Sequence, residues 1–218
     1  MEAQTGTRHA QPAGKDIASA IISIIGAALA LGGFTVLVVR AAASVSRGHT
    51  GAGYVAAVSI YGACIVYRFV MSALYRFSPG SRVLGSLDDA GAFFLVAGTL
   101  MPVLFSYLDG LARWLPFSFA LAYAVVAYIL HLTILGPMRH LILLIGYTSF
   151  FLAFPAIVSV RQALGGLAAG WLLLGGVVYL IGFVWKDRRG FPYAESIWLA
   201  CAVAGSACQY FGISSFLS

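Results

Sequence analysis

The feature that most constrains this chain is the length of its apolar runs. Seven stretches, about 17–39, 52–75, 89–108, 114–135, 139–159, 163–185 and 193–215, are separated only by short polar breaks. A hydrocarbon core about 30 Å thick needs roughly 20 apolar residues per helical crossing, and within it every backbone polar group must be satisfied inside the segment. The runs therefore predict an all-α integral membrane protein. A polar tail over residues 1–16 precedes a seven-transmembrane helix bundle over 17–218. A β-barrel would instead show short segments of alternating hydrophobicity. Only 9% of the residues are charged, against roughly 25% in soluble domains.

The first run is longer than the core of a signal peptide, about 7–15 residues, so this helix is expected to be retained. The short connections make neighbouring helices antiparallel. Although the net charge is +6, the basic residues stand singly at helix ends instead of clustering on one face, which excludes a nucleic-acid surface. They read as topology signals. With the N-terminus inside, the inner segments hold eight, Arg8, Lys15, Arg76, Arg82, Arg139, Lys186, Arg188 and Arg189, and the outer ones four, Arg40, Arg47, Arg113 and Arg161. That asymmetry places the N-terminus inside and the C-terminus outside a cell membrane.

Polar groups inside the runs are few. On the second span, Arg68, Ser72, Tyr75 and Arg76 share one helical face, because positions three and four apart are neighbours. Arg68 lies about 12 Å deeper than Arg76 at 1.5 Å per residue. A buried arginine is costly and faces the bundle interior or a watery cavity. The third span opens on Asp88 and Asp89, at an N-terminus where carboxylates also cap helices, and carries Gly91, Ala92, Leu95, Gly98, Thr99 and Pro102 near the Asp88 face. Pro102 and Pro155 each remove a backbone donor. Gly166 and Gly170 stand in a small-xxx-small spacing, with Gly175, Gly176 and Gly182 beyond; they serve packing within the bundle or a dimer contact. His131 is the only histidine well inside a span, too few for a metal site or a nucleophile–histidine–acid triad. Cys64, Cys201 and Cys208 read as small buried residues.

Four blocks together resemble the haemolysin III group of the progestin and adipoQ receptor family, over almost the whole chain. They are Asp16 to Gly26; Ser72-Ala73-Leu74-Tyr75-Arg76, where the family has Ser-x-x-Tyr-His; Leu87-Asp88 with Ala97-Gly98-Thr99-Leu100-Met101-Pro102; and Glu195 to Leu199 with Ala204 to Gln209, where the family has His-x-x-x-His and then Ala-Gly-Ser-x-x-His. The resemblance implies a zinc held by three histidines beside an aspartate and a serine. Here Ser72 and Asp88 persist, but the ligand positions are Arg76, Glu195 and Leu199, and Ser23 and Gln209 replace two further family histidines. Zinc needs neutral imidazole, thiolate or carboxylate donors. No zinc and no other cofactor are expected. Two arrangements are open for Arg76: its guanidinium is held by Asp88 and Glu195 in the vacated cation position, or it snorkels to the surface.

The function expected of such a chain is that of a multi-pass protein without catalysis, with membrane lipids as partners and a small amphipathic ligand in the bundle, or a role in membrane homeostasis. An intramembrane lipid-amide hydrolase using Ser72, Tyr75, Asp88 and Glu195 is an alternative that the resemblance implies. A pore or transporter is another.

Overall fold

The computed structural model describes residues 13–48, 50–78, 80–108, 110–133, 166–186 and 191–217. Six α-helices form within them: α1 (Ala13–Ser46), α2 (Ala52–Phe77), α3 (Arg82–Tyr107), α4 (Trp114–Thr133), α5 (Gly166–Lys186) and α6 (Ala194–Ser214). Short 3-10 turns, Gly110–Arg113 and Ser215–Leu217, lead into α4 and follow α6. All six helices are long and apolar enough to cross a membrane, and no strand occurs among the described residues. The expected span 139–159 lies outside the described residues, as do Arg139, His140, Pro155 and Arg161.

Two helices exceed the apolar runs that announced them. α1 continues past residue 39 to Ser46 because its extension is packed: Ala41 and Ser44 are buried, and Arg40 Nη1 donates to Ser214 Oγ at the end of α6. α3 starts at Arg82, not 89, with Ser81 as N-cap; its Oγ accepts from the Leu84 backbone N–H at 3.3 Å. Gly80, at φ 106°, makes the turn before it, a conformation that costs other residues dearly. Asp88 and Asp89 therefore sit in the second turn and do not cap this helix, which corrects the reading of both as helix-opening residues.

α1 packs on α2, α2 on α3, α3 on α4, α5 on α6, and α1 on α6, so the first and last helices meet. α3 is the most enclosed and α4 the most outward-facing. Tyr61, Phe69, Leu104, Trp198, Leu199 and Ile213 are among the most buried members of the core. α5 and α6 touch backbone to backbone: a Cβ on Gly175 would stand 2.8 Å from the Gly205 carbonyl oxygen. Gly170, by contrast, has open space around it. The small residues that close the α5–α6 contact are thus Gly175 and Gly182, within the bundle.

Candidate functional site

At one end of the bundle α1, α3 and α6 begin while α2 and α5 finish, and Arg68, Arg76, Asp88, Asp89, Lys186 and Glu195 gather near it, while Arg40 lies at the other end beside Ser214. The helical face on α2 is real: Arg68 is 2% exposed, Ser72 is fully buried, and nearer the helix end Arg76 is largely buried and Tyr75 partly so. Asp88 of α3 faces this stripe and forms an ion pair with Arg68. Arg68 Nη1 also donates to the Asp88 carbonyl oxygen at 3.3 Å. Gly91, one turn further along α3, allows the approach: a Cβ there would lie 3.0 Å from Arg68 Cα and 3.1 Å from its Cδ.

Arg76 pairs with Glu195 of α6, Nη1 to Oε1 at 2.7 Å. Its side chain is 10% exposed, while that of Glu195 is 52% exposed. Arg76 therefore does not reach out alone to solvent, but neither do both carboxylates hold it. The reason is axial offset. From Arg82 to Asp88 is six residues, so the early start of α3 carries Asp88 about 9 Å into the bundle at 1.5 Å per residue. That depth matches Arg68, not Arg76. Two separate pairs result, one enclosed and one at the rim.

A third pair is invisible in the sequence. Lys186, at the end of α5, lies 3.3 Å from Asp89 and 5.5 Å from the Trp198 ring centre; as a terminal lysine it carries only a topology message. A chain of hydroxyls also escapes sequence reasoning. Ser19 and Ser196 Oγ are 2.9 Å apart, Ser23 Oγ donates to the Ser19 carbonyl oxygen at 2.9 Å, and Ser23 and Ser72 Oγ are 3.2 Å apart. All four are buried, and they bind α1, α2 and α6 together. Their only signal is hydroxyls inside apolar runs, two of them at the i, i+4 spacing. Deeper still, Tyr179 is hydrogen-bonded to Ser206, and Thr99 Oγ1, which donates to the Leu95 carbonyl oxygen at 2.7 Å, lies 3.4 Å from Gln209 Oε1. Leu199, 1% exposed, fills its position with carbon.

The donor chemistry is clear. Each carboxylate near the α2–α3–α6 junction accepts from a cation of the chain, Asp88 from Arg68 and Glu195 from Arg76. Among the described residues no three histidine, cysteine, aspartate or glutamate side chains gather as a metal-binding group.

A bundle of long apolar helices joined by buried charge pairs and hydroxyls defines a multi-pass membrane protein. Residues 14–210 match the family model described as "Haemolysin-III related". The chain belongs to that haemolysin III family. It is similar to "Hemolysin-3" of Bacillus cereus, 26% identical over 208 residues, covering 94% of this chain and 93% of that protein. It is also similar to "Hemolysin-3 homolog" of Bacillus subtilis (strain 168), 23% identical over 205 residues, covering 90% and 92% respectively. It is accordingly a multi-pass protein of the cell membrane.

Proposed function

We propose that this haemolysin III-related protein holds no zinc, carries out no catalysis, and acts by binding a membrane lipid or by influencing membrane homeostasis through a partner. The observation that carries this reading is the claim of both nearby carboxylates by guanidinium groups. A zinc at that junction would have to displace Arg68 from Asp88 or Arg76 from Glu195. It would then sit beside a fixed positive charge, with no imidazole among the described residues there, against the buried Leu199. These residues do not fit the metal that the resemblance implies. The Ser72 hydroxyl is within hydrogen-bonding distance of Ser23, and among the described residues no histidine adjoins it to act as a base. Metal analysis of the purified protein should find far less than one zinc per chain, and stoichiometric zinc refutes the reading. Mass spectrometry of solvent extracts should find a co-purifying lipid in fixed ratio; its absence removes the lipid-binding part.

The bundle has seven spans in this proposal, with the N-terminus inside and the C-terminus outside. Support comes from helix direction. α4 runs toward the charged end, since its Tyr128 meets Ser86 there at 2.7 Å. α5 also runs toward that end, since Lys186 meets Asp89. Two successive helices of the same direction require one more crossing between them, and the span expected over 139–159 supplies it. Reporter fusions after Thr133 and after the C-terminus test this: opposite sides are expected, and the same side refutes seven spans.

A further inference from the structure

α1 to α4 pack in succession, and α5 packs on α6, so the described helices fall into two groups whose main seam is α1 on α6. The backbones of α2 and α6 scarcely approach one another, and neither do those of α3 and α5. Yet an ion pair bridges each of these gaps at the same end of the bundle. Arg76 reaches Glu195 from α2 to α6 at 2.7 Å, and Lys186 reaches Asp89 from α5 to α3 at 3.3 Å. The third pair, Arg68 with Asp88, lies wholly within the first group.

The two bridges are weak by construction. Glu195 is half in solvent, and neither Lys186 nor Asp89 is fully enclosed, so water and salt compete for both pairs. Closure also leaves Arg76 Nε buried with no hydrogen-bond partner among the described residues, a cost that contact with water would remove. One residue from Glu195, the α1–α6 seam is held by a hydroxyl contact, Ser19 Oγ to Ser196 Oγ at 2.9 Å. A hydroxyl that trades such a partner for water changes its net hydrogen-bond energy little. The opposite end is fastened differently: Arg40 holds Ser214, and the Tyr54 hydroxyl donates to the Ile213 carbonyl oxygen at 3.3 Å. There α1 and α2 both keep hold of the end of α6, which makes that end the hinge.

We propose that the Arg76–Glu195 and Lys186–Asp89 pairs form an ionic latch between two states of the bundle. When both pairs part, the end of α5 and the start of α6 move away from α1, α2 and α3. Ser19 and Ser196 then separate, and water reaches the buried hydroxyls. The structure holds the closed state. The device goes beyond the lipid-binding reading and does not depend on it.

The reporter is Ser19→Cys in the full chain, with Cys64, Cys201 and Cys208 changed to alanine, in phosphatidylcholine nanodiscs that leave both ends open to reagent. Position 19 is 3% exposed, so the rate at which water-soluble methanethiosulfonates label the thiol follows the open population. Glu195→Gln or Lys186→Gln should speed labelling about 1.5- to 5-fold, the worth of one partly exposed pair, and the two together by the product. Raising salt from about 0.05 to 0.5 M should speed labelling behind the unsubstituted pairs and leave the double variant unchanged. An anionic and a cationic reagent should respond alike, because a mere change of local charge would speed one and slow the other. A protein with Cys64 as its only cysteine, placed on α2 against Gly98 of α3, reads general loosening and should not change. Unchanged labelling at Ser19→Cys, opposite responses of the two reagents, or equal acceleration at Cys64 overturns the latch. If Ser19→Cys does not give monodisperse protein, Ser196→Cys reads the same opening from the facing side of the seam.

Discussion

Replacing Asp88 by leucine would leave Arg68 without its carboxylate inside the bundle. The two side chains are 3% and 12% exposed, so solvent cannot take over. Breaking a buried pair by removing one partner costs about 3–5 kcal/mol, whereas replacing both by apolar residues of similar volume is near neutral or stabilising. The main-chain oxygen of residue 88 remains an acceptor for Arg68 at 3.3 Å, which places the expected cost toward the lower bound. For a protein of this size 1 kcal/mol shifts the melting temperature by about 2–4 °C, so Asp88→Leu should melt roughly 6–12 °C lower. Arg68→Met alone should also destabilise, by isolating the carboxylate, while Arg68→Met with Asp88→Leu should recover most of the loss. The assay is thermal unfolding in detergent, followed by tryptophan fluorescence and by the monodisperse peak on gel filtration. A shift under about 2 °C for Asp88→Leu, or a double variant as unstable as the sum of its parts, refutes the claim that Arg68 and Asp88 act as one unit.

The rim pair should behave differently. Because Glu195 is half in solvent, Glu195→Gln is expected to cost only about 0.2–1 kcal/mol, an effect that shrinks in about 0.5 M salt; a large salt-insensitive loss in the same melting assay would contradict its place at the edge. Gly91→Ala should lower both yield and melting temperature, since the new methyl group meets the Arg68 backbone, while Gly170→Ala, in open space, should leave both unchanged. Arg76→His combined with Glu195→His and Leu199→His restores the three ligand types that the resemblance implies. About one zinc per chain should then appear in metal analysis, and none would mean that these positions do not converge.

Helix identity is legible because run length alone forces it: α2, α4, α5 and α6 lie close to the stretches marked by their apolar residues. The start of α3 is not, for a local reason. Ser81 and Asp88 are both favoured N-cap residues, and only the fold decides which one the helix uses. That single choice propagates into the site. With α3 opening at residue 88, Asp88 would stand level with Arg76; with α3 opening at Arg82 it descends to Arg68. Sequence spacing gives the face on which a residue lies, but not the axial offset between two helices, so the α2 stripe is readable and its partners are only half so. The hydroxyl chain is hidden for a related reason, since Ser19 and Ser196 become neighbours only when the first and last helices meet.

That meeting sets an order of events during synthesis. Ser19 and Ser196 are 177 positions apart, and at about 5–20 residues per second the ribosome needs roughly 9–35 s to make the second after the first. Throughout that interval Ser19 and Ser23 on α1 have no α6 to face. The seam between first and last helix is therefore the final one to close, and until it does, α1 has only α2 beside it as a packed neighbour among the helices seen to touch it. A ribosome paused before residue 196 would hold an open bundle, with the Ser19 hydroxyl turned to whatever chaperone, translocon wall or lipid happens to be adjacent.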